Sequence, residues 1–263
     1  ALLDNFFDRS SYLYEEPGNL LKQELREPAI YNAIIKAIAE GASRMNDIKM
    51  KVGEENSVVS KYLKTLIDLG IAKKETPITE KPGKKTIYLL ADNFFRFWYA
   101  FGFANFSQLE DGDVDGVYEY VVKPALHKFA SFTFEDICRE FVREMQKKNE
   151  LPFRYAKMGR WFGKTTVRDE KAASGLRTAE TEIDILCIDR GAKEYLVGEC
   201  KFKGVPFSYS EYCDTVAKLS PLKEKAKFHY ALFSENGFDK KIIDHAAENE
   251  TQLYTLNQIV HYA

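Results

Sequence analysis

The 263-residue chain carries 38 Lys and Arg against 40 Asp and Glu, which gives a formal net charge of −2. This balance lacks the basic excess that supplies much of the affinity of strong non-specific nucleic-acid binders. Hydrophobic residues (45%) and charged residues (30%) occur in proportions typical of a globular protein, and the length accommodates two ordinary domains. No apolar run is long enough for a membrane span or a signal peptide, so we expect no membrane partner.

The cysteine and histidine residues indicate a reducing compartment. The four cysteines are widely spaced, and three of them lie in apolar helical or strand patterns, which predicts buried free thiols. The four histidines form no cluster with the spacing of zinc ligands. We therefore expect a cytoplasmic protein without a structural zinc site.

Residues 28–92 show the pattern of three helices followed by a strand hairpin. Pro28 suits the first position of a helix, Ser43 can cap a second helix, and Gly53 and Gly70 follow the second and third helices. Two strand-like segments joined by a Pro-Gly turn come next. Three helices and such a wing predict a winged helix-turn-helix domain.

In winged helices that bind DNA, the third helix enters the major groove. A local cluster of lysines near the wing can bind phosphate although the whole chain is slightly acidic. No arginine is available on this surface to read guanine, and the domain could instead contact a protein or join two other domains. The predicted DNA-binding residues are Asn56, Ser57, Ser60, Lys61, Lys64, Lys84 and Lys85.

The segment NFFRFWYAFGFANF after Asp92 is predicted to be a helix. Its continuous aromatic face could stack nucleobases, but burial between the winged helix and the following domain is the favoured interpretation. The acidic segment QLEDGDVDG that follows is predicted to be a solvated loop, because it lacks the later ligands and the final glutamate of a calcium-binding loop.

Two apolar runs, Ile183–Ile188 and Tyr195–Phe202, flank an Asp-Arg-Gly turn and predict a β-hairpin. Because side chains alternate along a strand, Glu182 and Asp184 are expected on one face of the first strand. By the same rule, Glu199 and Lys201 of the neighbouring strand share a face. The hairpin therefore predicts carboxylates and one ammonium group converging on a single spot.

Hard oxygen ligands at such a spot suit Mg²⁺ or Mn²⁺, which can activate water and stabilise charge on a phosphodiester. Glu-x-Lys by itself also marks solvated strand faces. Here the apolar neighbours indicate central strands, where charges are costly unless they are paired or bound to metal. A preceding amphipathic helix carries Glu135 at the border of its apolar stripe, which comprises Phe134, Ile137, Cys138, Phe141, Val142 and Met145.

Glu135 on a helix, Asp184, and Glu199-Cys200-Lys201 together resemble the PD-(D/E)xK nuclease superfamily, with fourteen residues between Asp184 and Glu199. Several sequence segments resemble the C-terminal half of a prokaryotic AAA-type ATPase family: YLLADNFFRFWYAF, FEDICREF, MGRWF, EIDIL and GECKF. That family carries an ATPase module, a winged helix and a nuclease-like domain once labelled only as of unknown function.

This resemblance implies Asp184 and Glu199 as Mg²⁺ ligands and Lys201 as a group that orients water or neutralises charge. Glu135 and Glu182 would be further ligands or would support the ligands. The order of predicted elements in residues 93–263 (helix, hairpin, helix, strand, helix) predicts a mixed sheet flanked by helices, of α/β (α+β) class.

The chain departs from that family because it holds no ATPase core. Residues 1–27 resemble the tail of the missing module, and the chain begins at Ala1 without a methionine. ATP binding is therefore expected only of the missing module. Gly159–Thr165 resembles a phosphate-binding loop, but three residues separate its glycines where that loop needs four.

The sequence thus predicts a DNA-binding winged helix joined to a metal-dependent nuclease-like domain. The alternative is a non-enzymatic regulatory module whose nuclease fold binds DNA or protein without cleavage. A third interpretation is that the winged helix senses a partner protein, as in a toxin–antitoxin or defence assembly.

Overall fold

The computed structural model describes residues 3–24, 26–168, 176–222 and 227–262. Short segments of other helical types lie at Leu3–Phe7, Trp98–Gly102, Phe103–Asn105, Tyr118–Val122 and Ser220–Leu222. The α-helices are α1 (Tyr12–Glu24), α2 (Pro28–Ala39), α3 (Met45–Val52), α4 (Asn56–Asp68), α5 (Asn93–Phe97), α6 (Phe106–Glu110), α7 (Val114–Val117), α8 (Lys123–Lys148), α9 (Tyr209–Lys218), α10 (Lys240–Glu248) and α11 (Leu256–Val260). The strands are β1 (Ala72–Glu75), β2 (Ile87–Leu90), β3 (Lys157–Arg168), β4 (Leu176–Ile188), β5 (Glu194–Lys201), β6 (Lys227–Ser234) and β7 (Gln252–Thr255).

The chain folds into two compact units. The first comprises Ala1–Thr76 and Pro82–Leu126, and the second comprises Pro77–Lys81 and His127–Ala263. This division falls after residue 126, whereas the sequence pattern suggests a domain boundary at residue 93. No described helix is long and apolar enough to cross a membrane.

In the first unit, α2, α3 and α4 precede the antiparallel pair β1 and β2. This order of elements is the one expected of a winged helix-turn-helix, although that assignment stays a prediction. The predicted cap at Ser43 is wrong: Arg44 occupies the N-cap position of α3 without a side-chain hydrogen bond. The Ser43 carbonyl instead accepts a hydrogen bond of 2.7 Å from the Tyr88 backbone N–H.

The aromatic segment after Asp92 is helical and mostly buried within the first unit. The rings of Phe6 and Phe97 lie 5.0 Å apart, and those of Tyr14 and Trp98 meet edge to face at 5.2 Å. Such contacts with the N-terminal residues explain why the segment belongs to the first unit. The acidic segment is not entirely a loop, because Asp113 caps the short helix α7 by accepting a hydrogen bond from Gly116 N.

The second unit contains a five-stranded mixed sheet of order β3-β4-β5-β6-β7. The pairs β3–β4 and β4–β5 are antiparallel, and the pairs β5–β6 and β6–β7 are parallel. The predicted hairpin and the predicted mixed sheet flanked by helices are therefore confirmed. The Gly159–Thr165 segment lies within β3, so it forms no phosphate-binding loop.

Helices cover both faces of this sheet. Along β6, Phe233 packs in a cluster with Phe134 and Phe141 of α8, whereas its neighbour Leu232 packs with Tyr212 of α9. Adjacent residues of a strand point to opposite faces, so α8 and α9 lie on opposite sides. The apolar stripe predicted for α8 is buried except for Ile137, whose residue surface is 37% exposed.

Candidate functional site

Asp184 and Glu199 meet where β4 and β5 stop pairing. The last paired residues of these strands are Ile185 and Gly198, so the antiparallel register places Asp184 opposite Glu199 at the next position. Asp184 Oδ2 accepts a hydrogen bond of 2.8 Å from the Cys200 backbone N–H. A cavity of about 290 Å³ lies here, and the charged side chains that line it are Glu135, Glu182, Asp184, Glu199, Lys201, Lys203 and Lys218.

A β-bulge in β4 sets the position of Asp184. Gly159 pairs with Leu186 and Trp161 pairs with Ile183, so two residues of β4 lie opposite Arg160 alone. The bulge interrupts the alternation of side chains: Ile183 and Leu186, three residues apart, pack in the same core cluster. Glu182 and Asp184 both precede the resumed alternation and flank Ile183, and both side chains line the same cavity, as the sequence pattern predicts.

Glu199 is the most enclosed charged group of the site, with 2% of its surface exposed. Its Oε1 atom accepts hydrogen bonds from Lys201 Nζ and from Lys218 Nζ, both at 2.7 Å. Its Oε2 atom is buried and has no hydrogen-bond partner among the described residues. One oxygen thus carries two cationic partners while the other is left without any.

Burial and the charge of Glu199 shift the proton affinities of Asp184 and Lys201. Burial, followed by the charges of Glu199 and Glu135, raises the pKa of Asp184 to about 7. Burial alone would lower the pKa of Lys201, but the charge and hydrogen bond of Glu199 outweigh burial and raise it. Lys201 is therefore a permanent cation at neutral pH, and it does not act as a proton acceptor.

The two further acidic residues predicted for the site are engaged by arginines. Glu135 Oε2 accepts hydrogen bonds from Arg139 Nη2 at 3.0 Å and from Arg160 Nη2 at 2.9 Å. The Glu182 side chain is 56% exposed, and its Oε2 lies 3.7 Å from Arg160 Nε. Among the described residues, no group of three or more His, Cys, Asp or Glu side chains is arranged to hold a metal ion.

Asp184 and Glu199 nevertheless suit a hard divalent cation. Both are carboxylates, and both are buried. The Glu199 Oε2 atom has no hydrogen-bond partner among the described residues, and burial together with the neighbouring carboxylates raises the pKa of Asp184, so neither carboxylate is fully compensated by the protein. Oxygen donors with excess negative charge are what Mg²⁺ and Mn²⁺ require.

Sequence reasoning missed Lys218 and Arg139. Lys218 lies nineteen positions from Glu199 in α9, and only the tertiary fold brings them together. Arg139 follows Glu135 by four residues on one helix, a spacing that predicts an ion pair and could have identified it. Neither residue belongs to the Glu-x-Lys pattern, so the pattern alone does not reveal them.

The candidate DNA-binding residues lie on the surface of the first unit. On α4 the buried face carries Val59, Tyr62, Leu63 and Leu66. The predicted DNA-binding residues of this helix are all exposed: Asn56, Ser57, Ser60, Lys61 and Lys64. Lys84 and Lys85 are also exposed, in the turn that precedes β2. The geometry leaves all of these side chains accessible to a phosphate backbone.

A family model, DUF234, described as archaeal and bacterial proteins of unknown function, matches residues 98–212. The chain is 35% identical over 194 residues to the uncharacterized protein MJECL04 of Methanocaldococcus jannaschii. That match covers 73% of this chain and 40% of the relative, so the chain spans less than half of the relative's length.

Two solved structures show a distant likeness. Protein VC1899 from Vibrio cholerae aligns over 95% of this chain and 54% of its own, with 12% identity and a TM-score of 0.32. Can2 from Sulfobacillus thermosulfidooxidans, solved with cyclic tetra-adenylate, aligns over the same shares with 11% identity and a TM-score of 0.25. TM-scores this low do not establish a common fold, so neither structure bears on the function of this chain.

Proposed function

We propose that the second unit is a metal-dependent nuclease-like domain that hydrolyses DNA phosphodiesters and that residues 28–92 bind the DNA. The observation that carries this proposal is the pair of buried carboxylates, Asp184 and Glu199, that share one cavity with Lys201. We further propose that the chain is the C-terminal portion of an ATPase-family protein, in which the missing module alone binds ATP.

Asp184 and Glu199 would hold Mg²⁺ or Mn²⁺ in this proposal. When bound, the cation would supply Lewis-acid polarisation of the phosphodiester and activation of water. Glu135 and Glu182 would support the ligands through Arg160, which contacts both. Arg160 thereby links Glu135 of α8 to Glu182 of β4.

Lys201 would stabilise the charge that develops on the phosphodiester. Its raised pKa keeps the ammonium charged, and its Nζ lies 2.7 Å from Glu199 at the cavity wall. A fixed positive charge in a partly buried site stabilises a developing negative charge without solvent reorganisation. Lys201 would also orient the attacking water by donating a hydrogen bond to it.

One observation favours a second candidate function, a non-enzymatic module that binds DNA or protein. Lys201 and Lys218 already place two positive charges on Glu199, so the site is partly neutralised without a metal. Titration calorimetry with Mg²⁺ and Mn²⁺ separates the two functions. Binding that is lost in Asp184→Asn supports the nuclease, and an absence of divalent binding in the wild type supports the non-enzymatic module.

The catalytic test is DNA cleavage with Mn²⁺ or Mg²⁺ by the wild-type chain and by Asp184→Asn and Lys201→Ala. Asn keeps the shape of Asp184 but removes the ligand charge, so metal affinity and cleavage should both fall. Lys201→Ala should retain metal and lose roughly 10²-fold or more in rate. Lys193→Ala, at an exposed turn lysine, is the matched control and should cleave at the wild-type rate. Wild-type cleavage rates in both site variants would remove these residues from the mechanism.

A further inference from the structure

We propose that Lys218 is an exchangeable internal cation: it binds Glu199 when the site holds no metal and moves to a substrate phosphodiester oxygen when a divalent cation takes Glu199. This inference rests on the proposed function and adds to it a second phosphate-binding lysine, supplied by α9 and outside the Glu-x-Lys pattern.

The position of Lys218 makes it an electrostatic competitor of a cation, because a cation at the bare Oε2 atom of Glu199 would share one carboxylate with the Lys218 ammonium. Its Nζ lies 2.7 Å from Glu199 Oε1, the same oxygen that accepts from Lys201. The Lys218 side chain is 21% exposed and the Glu199 side chain only 2%. The Lys218 side chain is therefore partly open to solvent, whereas the carboxylate that it binds is enclosed.

The anchoring of α9 limits how far Lys218 can move. Ser208 and Glu211 form a reciprocal capping box at the start of this helix, and Thr215 and Tyr212 are buried against the rest of the unit. Lys218 stands in the last turn, where a long, flexible side chain can change rotamer while the helix stays in place. The exchange thus requires side-chain rotation within a cavity of about 290 Å³.

Lys203 lines the same cavity but is held differently. Its Nζ contacts both carboxylate oxygens of Glu211, at 2.7 and 2.6 Å, and Glu211 is itself fixed by Ser208. Lys218 is held by Glu199, which a metal ion would also bind. The positive charge of that ion would then repel the Lys218 ammonium. Its release leaves an ammonium in the cavity, where Glu135 is already paired with two arginines, and a bound phosphodiester oxygen would be a new partner for it.

The first measurement is Mn²⁺ affinity by titration calorimetry in wild type and Lys218→Met. Removing the competing charge should make Mn²⁺ bind about tenfold more tightly. Lys203→Met is the matched comparison, because it removes a cavity lysine that is paired with Glu211, and it should tighten Mn²⁺ binding much less than Lys218→Met does. Circular dichroism checks folding, and Lys218→Gln replaces Lys218→Met if the latter is unfolded.

The second measurement is binding of a hydrolysis-resistant phosphorothioate DNA duplex, followed by fluorescence anisotropy with EDTA or with Mn²⁺. In EDTA, Lys218 is held by Glu199, so Lys218→Met should bind DNA as the wild type does. With Mn²⁺, the variant should lose about one unit of the slope of log affinity against log salt. Lys218→Arg keeps the charge and should retain the wild-type slope.

The outcomes separate this inference from the proposed function. If the wild type binds Mn²⁺ and Lys218→Met binds it equally well, the exchange is wrong and the metal site stands. If only Lys218→Met binds Mn²⁺, the exchange is wrong, because Lys218 then blocks the site and does not yield Glu199 to a cation. If neither protein binds Mn²⁺, both proposals fail. The exchange is also wrong if Lys218→Met lowers the slope of log DNA affinity against log salt equally in EDTA and in Mn²⁺.

Discussion

Arg139 of α8 donates two hydrogen bonds to the backbone carbonyl of Asp184, from its Nε and Nη2 atoms, at 3.3 Å each. A β-bulge leaves its extra residue outside the regular ladder, so its polar backbone groups need other partners. Arg139 supplies that partner and also contacts Glu135. One buried guanidinium thus links α8 to the strand position of a proposed metal ligand.

Arg139→Met should therefore destabilise the protein by about 3 kcal/mol, because it leaves a buried carbonyl and a buried carboxylate with fewer donors. Mn²⁺ affinity should fall as well, since the bulge that positions Asp184 loses its support. Urea unfolding and titration calorimetry measure the two effects. The control is Arg143→Met, one turn along α8, whose side chain is 45% exposed and ion-paired with Glu140. Its unfolding free energy should change by less than about 1 kcal/mol, and equal losses in both variants would contradict the role of Arg139.

The parts of the site that sequence predicts are those fixed by local patterns. Alternating apolar residues and an Asp-Arg-Gly turn predict the hairpin, and the hairpin brings Asp184 opposite Glu199. The bulge is different, because it depends on how β3 pairs with β4, and no local pattern in β4 encodes that register. The same holds for Lys218, whose contact with Glu199 requires α9 to pack on the sheet.

The pKa of Asp184 makes a prediction about stability in metal-free protein. Its folded-state pKa of about 7 lies above the ordinary value of 3.8 for an aspartate, so the unfolded state loses this proton first as pH rises. Stability should consequently fall between pH 4 and pH 7 by roughly 4 kcal/mol, the full penalty being present above pH 7.

Asp184→Asn removes this titration and should be more stable than the wild type above pH 7 in EDTA. Thermal or urea unfolding measured from pH 4 to pH 8 provides the comparison. Asp214→Asn, at an exposed position of α9, serves as control and should follow the wild-type curve. If the unfolding free energy of the wild type does not decline from pH 4 to pH 7, burial does not raise the pKa of Asp184 in the folded protein. Lower stability of the metal-free wild type is the expected cost of burying a carboxylate for function.

Gly198 permits the close approach of β5 to the bulged strand. A Cβ atom at Gly198 would lie 2.8 Å from the Cβ of Ile185 and 3.2 Å from the ring of Phe233. Because Ile185 is β-branched and fully buried, it cannot move aside cheaply. Gly198→Ala should cost about 1–3 kcal/mol of unfolding free energy. It should also weaken Mn²⁺ binding, since it pushes apart the two strands that carry the carboxylates.

Gly204→Ala is the matched control, because nothing lies within 4 Å of the Cβ position there. Its unfolding free energy and its Mn²⁺ affinity should both match those of the wild type. A Gly198→Ala protein with unchanged urea midpoint would indicate that β5 and β4 separate without strain, and the strand geometry would then not limit the site.

The last prediction concerns DNA binding by the first unit. Lys84 and Lys85 are exposed in the turn before β2 and would contact phosphates in the proposed complex. Replacing both by Ala should flatten the slope of log affinity against log salt by about two units, because each lysine releases about one counterion on binding. Fluorescence anisotropy with a DNA duplex at several salt concentrations measures the slope.

The control is the double variant Lys22→Ala, Lys123→Ala, which removes two exposed lysines from α1 and from the start of α8. Both double variants lower the net charge by the same amount, so a loss confined to the Lys84 and Lys85 variant identifies local phosphate contact. Equal slopes in the two variants would attribute the effect to overall charge and would favour a protein partner for this unit.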